Sequence, residues 1–358
     1  MDAVFQKDAL VRAIEAIAAA GGSEPREARL VAENLVEANL LGHDSHGIGM
    51  MPRYVDALLQ GGLKVNRHVE VRLDAGALLS LDGGTGYGQA IGLEAMTLAI
   101  ARAKYHGASV TTLANAHHLG RIGHWAEMAL AEGLVAMHFA NVLSYARVAA
   151  YGGASGRFGT NPCCVGIPLP GEPPFLLDMA TSAVAQGKLR VAHNKKQKVA
   201  PGLVIDDRGN PSDDPRWGVV QPFGAMLTFG AHKGYGLAVA CELLGGALTG
   251  GGTLHGPKRD RTGVLNGMLT ILFDPRRMGT EAAFEREARA SLDWLRASPP
   301  APGFDRVRIA GEPERETRAR REREGIPVDE ETWKEIGAAA AKLKLAPEKV
   351  EALARGRA

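Results

Sequence analysis

The chain has 358 residues, 45% of them hydrophobic and 23% charged, which is typical of a folded protein of one or two domains and excludes intrinsic disorder. Its 42 basic and 40 acidic residues leave a formal net charge of +2, too little to recruit nucleic acid or an anionic membrane, so a small-molecule partner is favoured. Three cysteines without ligand or disulfide spacing, no secretory signal and no apolar run of about 18 residues predict a cytoplasmic protein.

The first part of the chain is predicted to be helical. Leu10 and Ile14 belong to an apolar pattern at helical spacing that ends at two glycines. Further helices are predicted to begin near Pro25 and near Pro52, because proline is favoured in the first turn of a helix. We therefore expect a helical unit over residues 1–75.

The centre of the chain has the character of a mixed α/β domain over residues 76–280. Its β-prone runs are 77–81, 108–113, 134–139, 175–177 and 268–273. The stretch 90–104 between the first two runs carries apolar residues on one face and predicts a helix that covers a sheet. In the remaining part, 281–358, acidic and basic residues alternate over 312–324, which is typical of a solvated helix face.

Several common signatures are missing. No Gly-x-Gly-x-x-Gly follows a strand with an acidic residue about 20 positions later, so a Rossmann fold is not indicated. Neither the phosphate-binding loop of nucleotide hydrolases nor the Gly-x-Ser-x-Gly elbow of serine hydrolases occurs. No metal site is predicted, since no His-Glu-x-x-His or paired Cys-x-x-Cys accompanies the loop histidines, which are His43, His46, His117, His118 and His124.

Two histidine-containing loops indicate chemistry if they share a pocket. The first is the run 42–47, which holds Ser45 and His46 between glycines, and the second follows a predicted strand and holds His118. When a ketone is reduced by hydride addition, an imidazole is well matched to give a proton to the developing alkoxide. His46 and His118 are the candidates, and the alternative for each is a structural role. Asp178 ends an apolar run, where it would either orient the imidazole or cap the next segment.

Four segments together resemble the signatures of a known family. They are 42–48 (Gly-His-Asp-Ser-His-Gly-Ile), 157–162 (Arg-Phe-Gly-Thr-Asn-Pro), 177–182 (Leu-Asp-Met-Ala-Thr-Ser) and 232–235 (His-Lys-Gly-Tyr). The chain resembles the malate/L-lactate dehydrogenase family of non-Rossmann type nearly end to end, and most of all its hydroxycarboxylate dehydrogenase B branch.

The resemblance implies a fold, an activity and an assembly. The fold would be α/β but not Rossmann, with a helical unit formed by both termini and a central mixed α/β domain that binds the cofactor. The activity would be the reversible reduction of 2-oxo acids to 2-hydroxy acids with NAD or NADP. The resemblance also implies a homodimer with its active site near the subunit interface.

The resemblance implies site residues as well. The catalytic residues would be His46, which acts as the acid/base group, His118 and Asp178. Ser45 and Tyr54 would line the substrate pocket. The cofactor would contact His46, Gly120, Arg121, Ile122, Asp178, Met179, Ala180, Thr181, His232, Lys233, Asn266, Gly311 and Glu312.

One position departs from the family pattern. Many members carry an arginine four residues after the loop histidine, where it can pair with the substrate carboxylate, but this chain has Met50. Arg121 is the predicted replacement, and Arg53 is the alternative. The thioether would also favour a bulky or aromatic 2-oxo acid. The other functions left open are a malate or lactate dehydrogenase, a cyclic imine carboxylate reductase, a metal-dependent hydrolase and a non-catalytic binding module.

Overall fold

A computed structural model describes residues 3–255 and 263–357. The α-helices are α1 (Lys7–Ala20), α2 (Pro25–Leu40), α3 (Met51–Leu59), α4 (Gly88–His106), α5 (Gly123–Ala131), α6 (Gln186–Asn194), α7 (His232–Cys241), α8 (Glu281–Arg296), α9 (Glu312–Glu324), α10 (Glu330–Lys342) and α11 (Pro347–Ala354).

The strands form three sheets. They are β1 (Ala3–Phe5), β2 (Glu70–Ala75), β3 (Leu78–Asp82), β4 (Ala108–His117), β5 (Val135–Leu143), β6 (Val148–Ala149), β7 (Gly156–Phe158), β8 (Cys163–Ile167), β9 (Phe175–Met179), β10 (Val204–Ile205), β11 (Pro211–Ser212), β12 (Ala225–Met226), β13 (Leu265–Phe273) and β14 (Ile326–Val328). The helix and the five strands predicted for the centre are all present, as α4, β3, β4, β5, β9 and β13.

The largest sheet positions the loops that follow its strands. Its strand order is β2-β3-β4-β13-β5-β8-β9. β3 and β4 run parallel and are connected by α4, and every other neighbouring pair is antiparallel. β4, β5 and β9 therefore point the same way and end at one edge of the sheet. The second histidine loop and the turn that begins at Asp178 both leave from that edge.

Residues from both ends of the chain share one apolar core. Leu10 and Leu35 of the N-terminal helices pack in the same cluster as Ile336 of α10 and Val350 of α11. β1 pairs antiparallel with β14, which adds a second connection between the ends. This core supports α3, from which Tyr54 projects.

A second sheet has five short strands in the order β11-β10-β12-β6-β7. Its cluster is smaller and includes Val148, Phe158 and Leu189. In the part of the chain that the structure describes, no helix is both long and apolar enough to span a membrane.

Candidate active site

The loop after α2 presents Ser45 and His46 because its ends are fixed by Asn39. The Asn39 amide nitrogen donates to Asp44 Oδ1 at 2.6 Å, and its oxygen accepts from the Ile48 backbone N–H at 2.8 Å. A Cβ on Gly47 would lie 2.0 Å from Asn39 Oδ1. This close approach explains why the loop has glycine at that position.

The second histidine loop meets the first. The end of β4 is held by Asn266, whose side-chain oxygen accepts from the Leu119 N–H at 2.9 Å and whose amide donates to the Asn141 carbonyl at 2.7 Å. The rings of His46 and His118 then stack with their centroids 5.5 Å apart and their planes at 22°. The two loops therefore share one pocket.

A buried hydrogen-bond chain supports His118. The Gln89 amide donates to the Tyr54 oxygen at 3.0 Å, and the Tyr54 oxygen lies 2.7 Å from His118 Nδ1. Burial lowers the pKa of His118 well below its ordinary value and raises the pKa of Tyr54. The phenol thus keeps its proton and donates it to Nδ1, which leaves the His118 proton on Nε2.

His46 is held through its other ring nitrogen. Ser45 Oγ lies 2.9 Å from His46 Nδ1, so Nε2 is the atom left for a ligand. Burial lowers the pKa of His46 to about 4, with smaller lowering effects from His43 and Arg121, whereas the negative charge of Asp178 raises it. A neutral imidazole can take the proton of the alcohol in the oxidative direction, and its charged form can return that proton in the reductive direction.

Asp178 lies at the centre of a charged cluster beside His46. Its Oδ2 accepts from the Gly123 N–H at 2.7 Å, at the first turn of α5, and lies 3.9 Å from Arg121 Nη1. Asp178 therefore caps a helix end and also acts on His46 through its charge, without a direct hydrogen bond to that ring among the described contacts. The cap expected from the sequence was for the segment that follows Asp178, whereas the helix whose first N–H it binds is α5, 55 residues earlier.

Arg121 is buried, at 2% exposure, and pairs with Glu127. Its Nε and Nη1 atoms have no hydrogen-bond partner among the described residues. A Cβ on Gly123 would lie 2.3 Å from Nη1 and 2.8 Å from Asp178 Oδ2, so only glycine lets both side chains pack this close to the backbone. The unpaired N–H groups make Arg121 a candidate donor to an anionic or carbonyl group.

The other residues predicted to contact a cofactor form a continuous strip of backbone. Asp178, Met179, Ala180 and Thr181 follow one another at the end of β9, and the Phe229 N–H donates to the Thr181 carbonyl at 3.1 Å. His232 and Lys233 begin α7 three residues beyond Phe229 and are exposed.

The other end of this strip lies at α9. The Leu176 N–H donates to the Ala310 carbonyl at 3.2 Å, which places Gly311 and Glu312 beside β9. Gly311 has a φ of +94°, and Glu312 is already paired with Arg296 and Arg306. Gly120, at a φ of +70°, and the buried Ile122 flank Arg121.

The position that lacks the family arginine is turned towards the helical core. Met50 is 7% exposed and packs in the cluster shared by the two chain ends. Arg53 lies one residue before Tyr54 on α3, and its positive charge contributes to the lowered pKa of His118. The charges of both arginines considered from the sequence therefore reach the two histidines, that of Arg121 at His46 and that of Arg53 at His118.

Two further findings concern ligands. Within 3–255 and 263–357, no group of three or more His, Cys, Asp or Glu side chains is arranged to hold a metal ion. A cavity of about 550 Å³ lies next to the start of α7, between the 149–154 loop and residues 227–231.

Sequence reasoning missed the supporting residues Gln89, Asn39 and Glu127. None of them belongs to a recognisable motif. Gln89 acts through Tyr54, 35 positions away, whereas the partners of Asn39 and Glu127 lie within nine positions. Asn39 and Gln89 are buried on helices that also carry apolar residues, so a polar residue on an apolar helix face was the available signal for these two.

The chain is similar over most of its length to several known proteins. A sequence model of the malate/L-lactate dehydrogenase family matches residues 5–337. Hydroxycarboxylate dehydrogenase B of Escherichia coli (strain K12) is 43% identical over 350 residues, which cover 97% of this chain and 96% of the relative. L-lactate dehydrogenase of Cupriavidus necator is 40% identical over 320 residues, with coverage of 88% and 91%. The solved sulfolactate dehydrogenase of Methanocaldococcus jannaschii has a TM-score of 0.85 at 30% identity and covers 97% of this chain and 99% of its own.

The fold and these relatives define an oxidoreductase that acts on the CH–OH group of 2-hydroxy acids. The chain belongs to the malate/L-lactate dehydrogenase family. The expected non-Rossmann α/β fold is confirmed by the solved relative and by the mixed sheet.

Proposed function

We propose that this protein reduces 2-oxo acids to 2-hydroxy acids, reversibly, with NADH or NADPH, and that His46 exchanges the proton with the substrate oxygen. The observation that carries the proposal is the stacking of His46 on His118 at 5.5 Å beside the Asp178 carboxylate. The arrangement supplies a proton donor, a second N–H group and a fixed negative charge in one pocket.

The residues present fit a nicotinamide cofactor. Buried Arg121 offers two N–H donors, Nε and Nη1, that have no hydrogen-bond partner among the described residues. The backbone strip from Gly311 through Asp178–Thr181 to His232 would hold the rest of the molecule, since turns of this kind can bind phosphate with backbone N–H groups. When bound, a reduced nicotinamide supplies hydride to the substrate carbonyl carbon.

The two histidines have different tasks in this proposal. His118, neutral and with its proton on Nε2, donates a hydrogen bond to the substrate oxygen and stabilises the charge that develops there. His46 releases its Nε2 proton to the same oxygen as the alcohol forms, and Ser45 keeps the ring oriented through Nδ1. Asp178 favours the charged form of His46 that must exist before this transfer.

Carboxylate recognition is assigned to arginine. Arg121, with its unpaired nitrogens, is our first candidate, and Arg53, whose charge reaches His118, is the alternative. Position 50 contributes a thioether in the helical core and no second cation, so a substrate with a second carboxylate gains no partner there. We therefore propose a preference for 2-oxo monoacids over diacids, with Tyr54 lining the pocket. The preference for bulky or aromatic monoacids, expected from the sequence, is kept as part of this proposal, although the Met50 thioether itself packs in the helical core.

The setting of the enzyme is part of the same proposal. We propose a cytoplasmic homodimer, in line with its balanced charge and its unpaired cysteines, Cys163, Cys164 and Cys241. No nucleic acid or membrane partner is required for the reaction.

The test is a steady-state assay of nicotinamide absorbance with NADH and with NADPH across 2-oxo acids of graded size. His46→Gln is expected to lower kcat by about a thousandfold, as for the loss of a general acid. A cyclic imine carboxylate in the same panel separates C=O from C=N reduction. If His46→Gln keeps the wild-type kcat, the assignment of the proton donor is wrong.

A further inference from the structure

Helix α9 supplies a guanidinium to the loop that carries His46. Arg321 donates to both carboxylate oxygens of Asp44, at 2.6 Å to Oδ1 and 3.0 Å to Oδ2, and also to the Asn39 carbonyl. The Arg321 side chain is 12% exposed, although that of Asp44 is 50% exposed. A two-pronged pair between planar groups fixes orientation as well as distance, so α9 determines where Asp44 lies.

A second contact comes from the same face of α9. His43 Nε2 lies 3.5 Å from Glu314 Oε1, and the interaction with His43 lowers the pKa of Glu314. Glu314 and Arg321 are seven residues apart, which places them on one side of a helix. The sequence alone indicates that the charged residues of α9 form a solvated face, but some of them make contacts within the protein. This surface of α9 also binds His43 and Asp44 through Glu314 and Arg321.

The start of α9 lies at the proposed cofactor strip. Gly311 caps the helix beside Leu176, two residues before Asp178. The 13 residues of α9 span about 20 Å at the usual helical rise. One rigid element thus touches both the strand that ends near Asp178 and the loop that carries His46.

We propose that Arg321 and Asp44 form a positioning pair, which holds His46 against His118 and in register with the turns at the start of α9. This inference rests on the proposed function, because it assigns the pair a part in that reaction. Neither residue touches the reacting atoms. Their effect passes through the two residues that follow Asp44, which are Ser45 and His46.

The physical consequence of losing the pair is a looser loop. Segment 43–46 already has exposed residues at Asp44 and Ser45 and would turn further into solvent. His46 would then lose the burial that lowers its pKa to about 4. The groups that face it are Asp178, Arg121 and the His118 ring, with His43 on its own loop, and their influence would weaken as well.

The experiment compares two arginines of one helix. Arg318, one turn before Arg321, makes a matched two-pronged pair with Glu37 of α2, at 2.6 and 3.2 Å, and among the described residues it forms no hydrogen bond or ion pair with the loop. Arg321→Ala is expected to lower kcat about tenfold with the KM for the cofactor nearly unchanged. It should also move the acid limb of the pH profile of kcat/KM for oxidation to higher pH. Arg318→Ala should keep the wild-type kcat and pH profile. Arg321→Lys should recover part of the kcat that Arg321→Ala loses. Equal kcat values and pH profiles for the two alanine variants would overturn the proposal.

Amide hydrogen exchange over 43–48 gives a readout that does not need activity. Arg321→Ala should accelerate this exchange and Arg318→Ala should not. If the wild type reduces no 2-oxo acid, the proposed function fails, and the exchange data still decide whether α9 holds the loop. Asp44→Asn removes the charge of the more exposed partner of the same ion pair. It is used in place of Arg321→Ala if Arg321→Ala does not fold. Unchanged exchange in the variant that is used contradicts the proposal.

Discussion

The Tyr54 oxygen lies 2.7 Å from His118 Nδ1 and 3.0 Å from the Gln89 amide nitrogen. Because the amide can only donate to this oxygen, the phenolic proton is directed to the imidazole. One buried contact between α3 and the loop after β4 thereby sets the tautomer of His118. The N–H group on its Nε2 is then available in the pocket shared with His46.

Tyr54→Phe should separate this contact from simple packing. The change keeps the ring but leaves His118 Nδ1 and the Gln89 amide without their partner, which costs about 1–3 kcal/mol. We expect kcat/KM to fall about tenfold to a hundredfold and the melting temperature to fall by a few degrees. Tyr87→Phe is the control, since Tyr87 packs edge-on against Tyr54 at 5.8 Å. Equal activity of both variants would show that the tautomer is not set by Tyr54.

The pH profile should report the lowered pKa of His46. Oxidation of the alcohol needs neutral His46, and burial lowers its pKa to about 4. The value of kcat/KM for oxidation should therefore stay level from about pH 8 to pH 5 and fall below, instead of falling near the ordinary value of about 6.5. Asp178 raises this pKa, so Asp178→Asn should move the fall to lower pH. A shift to higher pH in that variant would contradict the placement of Asp178.

Acid should destabilise the protein through its buried neutral histidines. His138 is fully buried, its Nδ1 lies 2.9 Å from Thr270 Oγ1, and burial lowers its pKa to about 3. Below a pH of about 6.5, His138 is protonated in the unfolded chain but stays neutral in the folded protein. The free energy of unfolding therefore falls as the pH falls, by up to about 1.4 kcal/mol per pH unit.

His138→Gln should reduce that slope by about one proton between pH 6 and pH 4, as measured by denaturant unfolding. His68 is the control, since Glu94 raises its pKa and the sign of its contribution is opposite. His68→Gln should therefore not reduce the slope. An unchanged slope in His138→Gln would mean that this ring already binds a proton in the folded state.

The sequence predicted the large elements well because their signals are local. The apolar faces that predict α4 and β4 are the faces that pack in the core, and the two histidine loops are framed by glycines that the turns require. The contact between the two histidine loops could not be predicted without the sheet. The register of β13 between β4 and β5 places Asn266 where it binds the Leu119 N–H.

The support of the site could not be read from the chain. Asp44 and Arg321 are 277 positions apart, and the alternating charges around Arg321 fit a solvated helix equally well. Met50 could be recognised as a departure from a family pattern, but its position in the apolar core depends on how α3 packs against the C-terminal helices. Long-range packing of this kind has no local signature.

Two arginines, Arg121 and Arg53, are the candidate partners of the substrate carboxylate, and their variants should differ in KM. Arg121→Met removes the unpaired N–H groups beside Asp178 and is expected to raise KM for the 2-oxo acid at least tenfold, since a charged hydrogen bond contributes about 1.5–3 kcal/mol. Arg53→Met should then have a small effect. If the effects are reversed, Arg53 is the carboxylate partner and Arg121 serves the cofactor strip. Steady-state KM values for both variants, with the melting temperature as a check on folding, decide between them.

The central claim is that the pocket of His46 and His118 reduces a 2-oxo acid. The most direct measurement is the rate of NADH and NADPH oxidation by wild type and by His46→Gln, with phenylpyruvate, pyruvate and oxaloacetate as substrates. We expect turnover by wild type, fastest with phenylpyruvate and slowest with the diacid oxaloacetate, and a loss of about a thousandfold in kcat for the variant. No oxidation of either cofactor with any 2-oxo acid, or full activity of His46→Gln, would contradict it.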